Sequence, residues 1–391
     1  MAGLAVRGAT KAFGSTLALR GVDLAVADGE FCVLAGPPGA GKTTLLRAIA
    51  GLQRLDAGSI EVDGESVDDW DPGPRNLSMV FQENALIPRI SAYKNIAFGL
   101  KVRGVGREEI EVRVGRIADL LGITDLLHRS TQELTRTAQR RVAIARAVVG
   151  EAGLCLLDDP FADANYEDRD LLRGEIRLLH REFPMTKLFV TSDPLDAMTL
   201  ADRVVIIRRG SIEQEGTPIE LFERPRTRFV AGYFGWPKMN FLRGLVVRAG
   251  DAGESIRLEG IEATVKLPPN RIPHDLAHDS PVLLGIRPEH MMRAVRVSPA
   301  DGVFRHEAVV EAMQRIGPRA YATFRVGGAA VVAELQAHDV SGPGDRLRID
   351  INVKRAALFD AATEKVIQPV AEPLSVGGAS PGSVEDRAGG E

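Results

Sequence analysis

Residues 36–43 read Gly36-Pro37-Pro38-Gly39-Ala40-Gly41-Lys42-Thr43, which fits G-x-x-x-x-G-K-[ST]. The five residues before it, Phe31 to Ala35, form an apolar run of buried-strand length, and residues 43–49 carry helical spacing. Strand, glycine-rich loop and helix in that order make a phosphate-binding loop. Gly39 and Gly41 let the backbone wrap closely around phosphate oxygens. Amides at the helix N-terminus point at the anion with the helix dipole behind them. Lys42 supplies a positive charge to the β- and γ-phosphates, and the Thr43 hydroxyl is a ligand for Mg²⁺. Gly36, Gly39, Ala40, Gly41, Lys42, Thr43 and Thr44 are therefore the expected nucleotide-holding set.

Outward from this loop, residues 154–157 form a second apolar strand that ends in Asp158, the expected magnesium-organising carboxylate. Residues 188–191 and 204–207 are further short buried-strand candidates. Longer charged segments with helical periodicity, such as 108–121 and 171–182, lie between the strands. Up to about residue 235 the chain reads as alternating strands and helices, the pattern of an α/β domain with a parallel sheet. After Trp236-Pro237 the character changes. Residues 242–247, 255–258, 281–286, 303–310, 320–326, 330–335 and 346–351 are short β-prone runs separated by Gly, Pro, Asp and Asn. They predict a small all-β barrel or sandwich. The expected organisation is an α/β domain over 1–236, with a helical subdomain at about 84–152, a β-rich domain over 237–370, and a disordered, glycine-rich tail over 371–391.

Bulk composition sets limits. Two domains suit 391 residues. Lys plus Arg number 49 and Asp plus Glu 53, so the formal charge is 49 − 53 = −4. A near-neutral chain offers no electrostatic case for nucleic acid as a partner. Cys32 and Cys155 sit in apolar runs and read as buried thiols in a reducing compartment. The N-terminus lacks the apolar core of a secretory signal, and no run approaches the ~20 apolar residues of a membrane span. Any work at a membrane then needs spans supplied by other chains. His274, His278 and His290 are scattered and read as surface or structural histidines rather than a metal cluster.

With these motifs in order, the sequence resembles the ATP-binding subunits of ABC importers, above all the sugar and polyol branch typified by the maltose importer. The resemblance covers roughly residues 3–370. VFQ at 80–82 resembles the Q-loop, which implies that Gln82 reaches the metal and the attacking water and couples to the membrane subunits. Phe13, in KAFG, matches the aromatic that stacks on adenine. RRVAIARA at 140–147 resembles the helix after the signature loop. TSDPLDAMTLADRVVII at 191–207 and IEQEGTPIELFERP at 212–225 resemble the end of the ATPase domain. MNFLRG at 239–244 and LLGIRPEHM at 283–291 resemble its OB-like, TOBE-type regulatory domain. Blander readings stand beside these: Gln82 as an ordinary loop residue, Phe13 as core, and the basic run 136–146 as a solvated helix face, the preferred reading for Arg140.

The resemblance implies a P-loop ABC ATPase that binds ATP and Mg²⁺ at the cytoplasmic face of the inner membrane. Its implied partners are transmembrane permease subunits, a second ATPase subunit and, indirectly, an extracytoplasmic solute-binding protein. It also exposes departures. In the family each nucleotide lies between one chain's phosphate loop and the other chain's LSGGQ loop. Here that loop reads Leu134-Thr135-Arg136-Thr137-Ala138, so the residues reaching the nucleotide in trans are Thr135, Arg136 and Thr137. Two glycines have gained side chains that obstruct a close backbone approach, with Arg136 as a charged finger the alternative. The catalytic Glu is Asp159, the switch His is Ser192, and the D-loop Asp is Asn165. Together these changes predict impaired hydrolysis and a heterodimer with an intact ATPase chain rather than a homodimer. The competing reading is a non-hydrolytic regulatory subunit in which ATP only clamps the dimer. A soluble translation or repair ATPase is disfavoured by the single phosphate loop and the β-rich second domain.

Overall fold

A computed structural model describes residues 3–150, 152–248, 254–269, 271–294 and 302–367. The expected tail at 371–391 lies outside the described residues. Two compact units divide the chain, Met1–Met239 and a second that begins at Asn240.

The first unit is built on strands β1 (Leu4–Phe13), β2 (Thr16–Val26), β3 (Phe31–Ala35), β4 (Ala57–Val62), β5 (Glu65–Ser66), β6 (Leu77–Val80), β7 (Leu154–Asp158), β8 (Thr186–Thr191), β9 (Arg203–Arg208) and β10 (Ser211–Gly216). Its helices are α1 (Lys42–Ile49), α2 (Ala92–Val102), α3 (Arg107–Leu120), α4 (Arg136–Val148), α5 (Tyr166–Glu182), α6 (Pro194–Leu200), α7 (Pro218–Glu223) and α8 (Arg228–Tyr233). The central sheet runs β10-β9-β3-β8-β7-β6. Pairs β9/β3, β3/β8, β8/β7 and β7/β6 are parallel, while β10 closes the edge antiparallel to β9.

Every residue of β3, β7 and β8 is buried. That is why residues 31–35, 154–157 and 188–190 within them read as continuous apolar runs rather than alternating ones. Side chains still alternate between faces. Cys32 and Leu34 join Leu45, Leu46 and Ile49 of α1 in one core. Phe31, Val33 and Ala35 join Val142, Ile144 and Val148 of α4 in the other. Each such fully buried aliphatic side chain contributes roughly 1.5–3 kcal/mol.

The first thirty residues depart from the expected alternation of strands and helices. Strands β1 and β2 form a long antiparallel hairpin, which pairs with β4 and β5 in a separate sheet of order β2-β1-β4-β5. Apolar residues on one face of this sheet (Leu4, Val6, Leu24, Ile60) cover α1. The opposite face carries the charged residues that obscured the strands in the sequence. Between β6 and β7 the chain forms α2, α3 and α4.

Arg140 overturns its expected place on a solvated face. Only 3% of it is exposed, because α4 is packed on most of its circumference and this turn faces the loop after β7. Burial lowers its pKa, opposed by Asp163 and Asp159. Its Nη2 lies 3.9 Å from Asp163 Oδ2.

The second unit is all-β among the described residues, apart from single 3₁₀ turns. It contains β11 (Asn240–Arg248), β12 (Glu254–Leu258), β13 (Thr264–Lys266), β14 (Pro281–Ile286), β15 (Met291–Arg293), β16 (Val303–Val309), β17 (Ala312–Ile316), β18 (Arg319–Val326), β19 (Ala329–Gln336), β20 (Arg346–Asn352) and β21 (Ala357–Asp360). They form sheets β13-β12-β11-β14-β21, β15-β20-β16 and β17-β18-β19. Alternate residues such as Val246, Ile256, Leu284, Phe324, Val331 and Ile349 share one core. Asn240 is buried and locks β11 to β19: its Nδ2 donates to Val332 O at 2.9 Å, and Val332 N donates to its Oδ1 at 2.8 Å.

Candidate functional site

Three neighbouring parallel strands, β3, β8 and β7, end at the same edge of the central sheet. Ala35 lies level with Thr191, and Asp158 with Val190. The phosphate loop follows β3, Ser192 follows β8, and Asp159 follows β7. Ligands of open α/β sheets bind outside the carboxyl ends of the strands, and here residues far apart in sequence converge there.

Two close approaches shape the loop itself. A Cβ on Gly36 would fall 2.2 Å from Ile207 O. Gly41 has φ 106°, and a Cβ there would sit 2.5 Å from Ala18 O of β2. Both positions need glycine, so the loop is pressed against β9 on one side and the β1–β2 hairpin on the other. Lys42 is 7% exposed, and its Nζ donates to Gly36 O at 2.8 Å and Pro37 O at 2.9 Å. Burial lowers its pKa, while Asp159 and Asp158 oppose the shift. Thr43 Oγ1 donates to Asp158 Oδ1 at 2.9 Å. Asp158 is almost fully buried; burial raises its pKa, opposed by the Thr43 hydrogen bond and by Arg47 and Lys42. A hydroxyl and a carboxylate in contact beside a buried lysine and a glycine cradle are the donor set that a nucleotide phosphate with a divalent cation requires.

Asp159 takes the left-handed region at φ 42°, and its N–H donates to Val190 O at 2.9 Å. Burial pushes its carboxyl up to about 6; Arg169 opposes this, Asp196 and Asp158 reinforce it, and Lys42 opposes it. Ser192 is half-buried, and its carbonyl accepts from Tyr233 Oη at 3.1 Å. Burial raises the Tyr233 hydroxyl pKa, partly offset by the Gly36 backbone. Tyr233 thus ties the start of the phosphate loop to Ser192.

Gln82 lies exposed in the turn after β6. Phe13 ends β1 with half its surface exposed, so it is not core. Thr135 caps α4: its Oγ1 accepts from Ala138 N at 3.2 Å. Arg136 is exposed, and Thr137 Oγ1 donates to Asp168 Oδ2 at 2.9 Å. The hydrogen bonds of Thr135 and Thr137 therefore run to α4 and α5, not to the phosphate loop of the same chain. Asn165 caps α5 through its Oδ1, which accepts from Asp168 N at 2.8 Å. An Asp would serve that cap equally well.

Sequence reasoning missed three further features. Beneath Ser192, the fully buried Asp196 accepts from Arg173 Nε at 2.7 Å and from Thr191 Oγ1 at 2.8 Å, and Arg169 pairs with Asp193. Arg146 of α4 donates to Asn84 O at 3.2 Å and Ala85 O at 2.9 Å, just beyond Gln82. Tyr233 is the third. For Asp196 a signal existed: an acidic residue inside the apolar face of a short helix.

A phosphate loop, the Thr43–Asp158 contact beside it and Ser192 and Asp159 at the same sheet end define a P-loop nucleotide-binding protein. Comparison carries the definition further. Residues 19–162 match the ABC transporter family, and residues 235–291 match the MalK OB fold domain. The sn-glycerol-3-phosphate import ATP-binding protein UgpC of Cupriavidus necator is 38% identical over 376 residues, 94% of this chain and all of that protein. The trehalose/maltose import ATP-binding protein MalK of Thermococcus litoralis is 38% identical over 382 residues, again 94% of this chain and all of that protein. The sulfoquinovosyl glycerol transport ATP-binding protein SmoE of Agrobacterium fabrum is 37% identical over 373 residues, 94% of this chain and all of that protein. Among solved structures, the dimeric bacterial ABC transporter cassette MJ0796 superposes with a TM-score of 0.51 at 25% identity, covering 55% of this chain and 98% of that one. The chain belongs to the family of ABC importer ATP-binding subunits that carry a MalK-type OB domain. ATP with Mg²⁺ is the usual cofactor of that family. Among the described residues, no helix is long and apolar enough to cross a membrane.

Proposed function

We propose that this chain is the peripheral energy-coupling subunit of an importer. It binds Mg-ATP at the cytoplasmic face of the inner membrane and drives a sugar, polyol or glycerol-type solute through transmembrane permease subunits. A solute-binding protein outside the membrane delivers the cargo. The observation that carries the reading is the contact of Thr43 with Asp158 beside Lys42, in a chain whose full-length relatives are import ATP-binding proteins. Phe13 stacks on the base. Gly36, Gly39, Ala40, Gly41, Lys42, Thr43 and Thr44 hold the phosphates. Thr43, Asp158 and Gln82 serve the metal, which when bound neutralises charge on the phosphate oxygens.

Hydrolysis by this chain alone is impaired in this reading. Asp159 is one methylene shorter than Glu and is held by its N–H in a left-handed turn. Ser192 lacks the reach and charge of a histidine, and Arg136 and Thr137 stand where the signature loop needs bare backbone. Pairing with an intact ATPase chain, rather than with a second copy, leaves one composite site with its own base and histidine. That site turns over.

The test is Mg-ATP binding and phosphate release measured on the same purified sample, with and without Lys42→Ala. Tight binding with negligible release, rescued by a second ATPase chain, supports the reading. Brisk release from this chain alone, lost in Lys42→Ala, removes the impaired-hydrolysis part. Transport retained in Asp159→Asn but lost in Lys42→Ala would favour the second reading, a regulatory subunit clamped by ATP. The substituted signature loop is the observation behind that alternative.

A further inference from the structure

The end of β1 carries a clip that the nucleotide contacts do not explain. Asp56, just before β4, grips two consecutive residues. Lys11 Nζ donates to Asp56 Oδ1 at 2.5 Å, and Ala12 N donates to Asp56 Oδ2 at 2.7 Å. A third bond, from Asp56 N to Thr10 O at 2.9 Å, fixes Asp56 to the same strand. The ladder between β1 and β2 is irregular here, with a register shift between Lys11 and Ala12, so Ala12 is where regular pairing falters. The carboxylate accepts that amide instead.

The next residue is Phe13. It pairs with Thr16 across the hairpin turn. Lys11 Nζ lies over its ring, 5.7 Å from the centroid, and the Lys11 side chain is 12% exposed. One face of the ring is thus covered by a cation whose own position is set by Asp56. Half of the Phe13 surface stays open. The hairpin also touches the phosphate loop, because Gly41 packs against Ala18 O on β2. A ring at this hairpin end is therefore held at a defined place relative to the phosphates.

We propose that Asp56 is a positioning residue for the nucleotide base: through Lys11 and the Ala12 amide it presets the Phe13 ring as a stacking platform. The inference rests on the reading of Phe13 given above. Holding an aromatic side chain in its bound orientation lowers the ordering cost of binding, which corresponds to about two- to tenfold in affinity. Losing the stack itself costs more, about tenfold or greater.

The experiment compares two probes on the full chain with Mg²⁺ present: ATP, and inorganic tripolyphosphate, which has phosphates but no base. Phe13→Ala is the control and should weaken ATP at least tenfold while sparing tripolyphosphate. Asp56→Ala should weaken ATP two- to tenfold and leave tripolyphosphate unchanged. Asp56→Asn, which keeps an acceptor for Ala12, should fall between wild type and Asp56→Ala. Lys11→Met keeps the stem under the ring and should also lose ATP selectively; it stands in if Asp56→Ala does not fold. Equal losses for both probes, or no loss of ATP in Asp56→Ala and Lys11→Met, overturn the proposal while the reading of Phe13 survives. A Phe13→Ala chain that binds ATP normally removes that reading and the proposal with it.

Discussion

Thr43 and Asp158 are 115 residues apart in sequence, yet the Thr43 hydroxyl donates to the Asp158 carboxylate at 2.9 Å. The parallel order β3-β8-β7 makes this contact: β3 delivers the phosphate loop and α1, and β7 delivers Asp158 two strands along, with β8 between them. Asp158→Asn keeps the shape but loses the charge. It should lower the apparent Mg²⁺ affinity of the nucleotide complex ~10–100-fold, the cost typical of a lost partner behind a metal ligand. Titrating Mg²⁺ against a fluorescent ATP analogue reads this out, and an unchanged Mg²⁺ midpoint would remove Asp158 from the metal site.

Asp159 gives a pH test. Its folded pKa of about 6 lies above the ordinary 3.8, chiefly through burial. A raised carboxyl pKa means the folded state prefers the neutral form. The group's contribution is full below pH 4 and is lost as pH rises through about 6. At neutral pH, Asp159→Asn should therefore stabilise the nucleotide-free chain by about 1–2 kcal/mol. At pH 4 it should be close to neutral. Melting curves at the two pH values decide, and a stabilisation that is equal at both would show that the carboxyl does not titrate there. Turnover that depends on Asp159 should rise across the same window, since only the carboxylate can accept a proton.

How much was legible in advance depended on what each segment repeats. The loop at 36–43 and the run ending at Asp158 were readable because a buried parallel strand is continuously apolar and its C-terminal turn carries the chemistry. The β1–β2 hairpin was not, because its strands place Arg7, Lys11, Arg20 and Asp23 between apolar residues and are broken by register shifts. Arg140 was misread because charge alone does not tell which turn of α4 faces the loop after β7. In the second unit β13, β15 and β21 span only three or four residues, and β17 is largely exposed, so neither length nor alternation marked them.

Arg146 links α4 to the segment behind Gln82. Its two nitrogens hold the carbonyls of Asn84 and Ala85, both at positive φ, 62° and 43°. Non-glycine residues in that region need outside support. Arg146→Ala should cost about 1–3 kcal/mol through two unmade hydrogen bonds to a charged donor. It should also speed amide exchange locally at 84–87. Exchange protection that stays unchanged there would mean the turn holds itself.

Asp196 and Arg173 form the pair on which the turn at Ser192 rests. Asp196 is fully buried and Arg173 is 4% exposed. Asp196 also accepts from Thr191 Oγ1, which in turn accepts from Asp193 N at 3.0 Å, so the backbone on both sides of Ser192 is fixed through one carboxylate. Burial raises the Asp196 pKa; the Arg173 hydrogen bond opposes this, Asp193 reinforces it, and Thr191 and Arg169 oppose it. Removing Asp196 leaves the buried Arg173 guanidinium with only the more exposed Asp170 at 3.0 Å and Asp193 at 3.6 Å, at a cost toward the lower end of the ~3–5 kcal/mol typical of a broken buried pair. Asp196→Ala should therefore lower the unfolding free energy by about that amount. Arg173→Met in the same background should recover part of it, because the buried cation, now short of one carboxylate, is gone while its stem volume remains. Chemical denaturation of the single and double variants forms the cycle. If the double variant is no more stable than Asp196→Ala, the cost lies in lost packing around α6 and not in the charge.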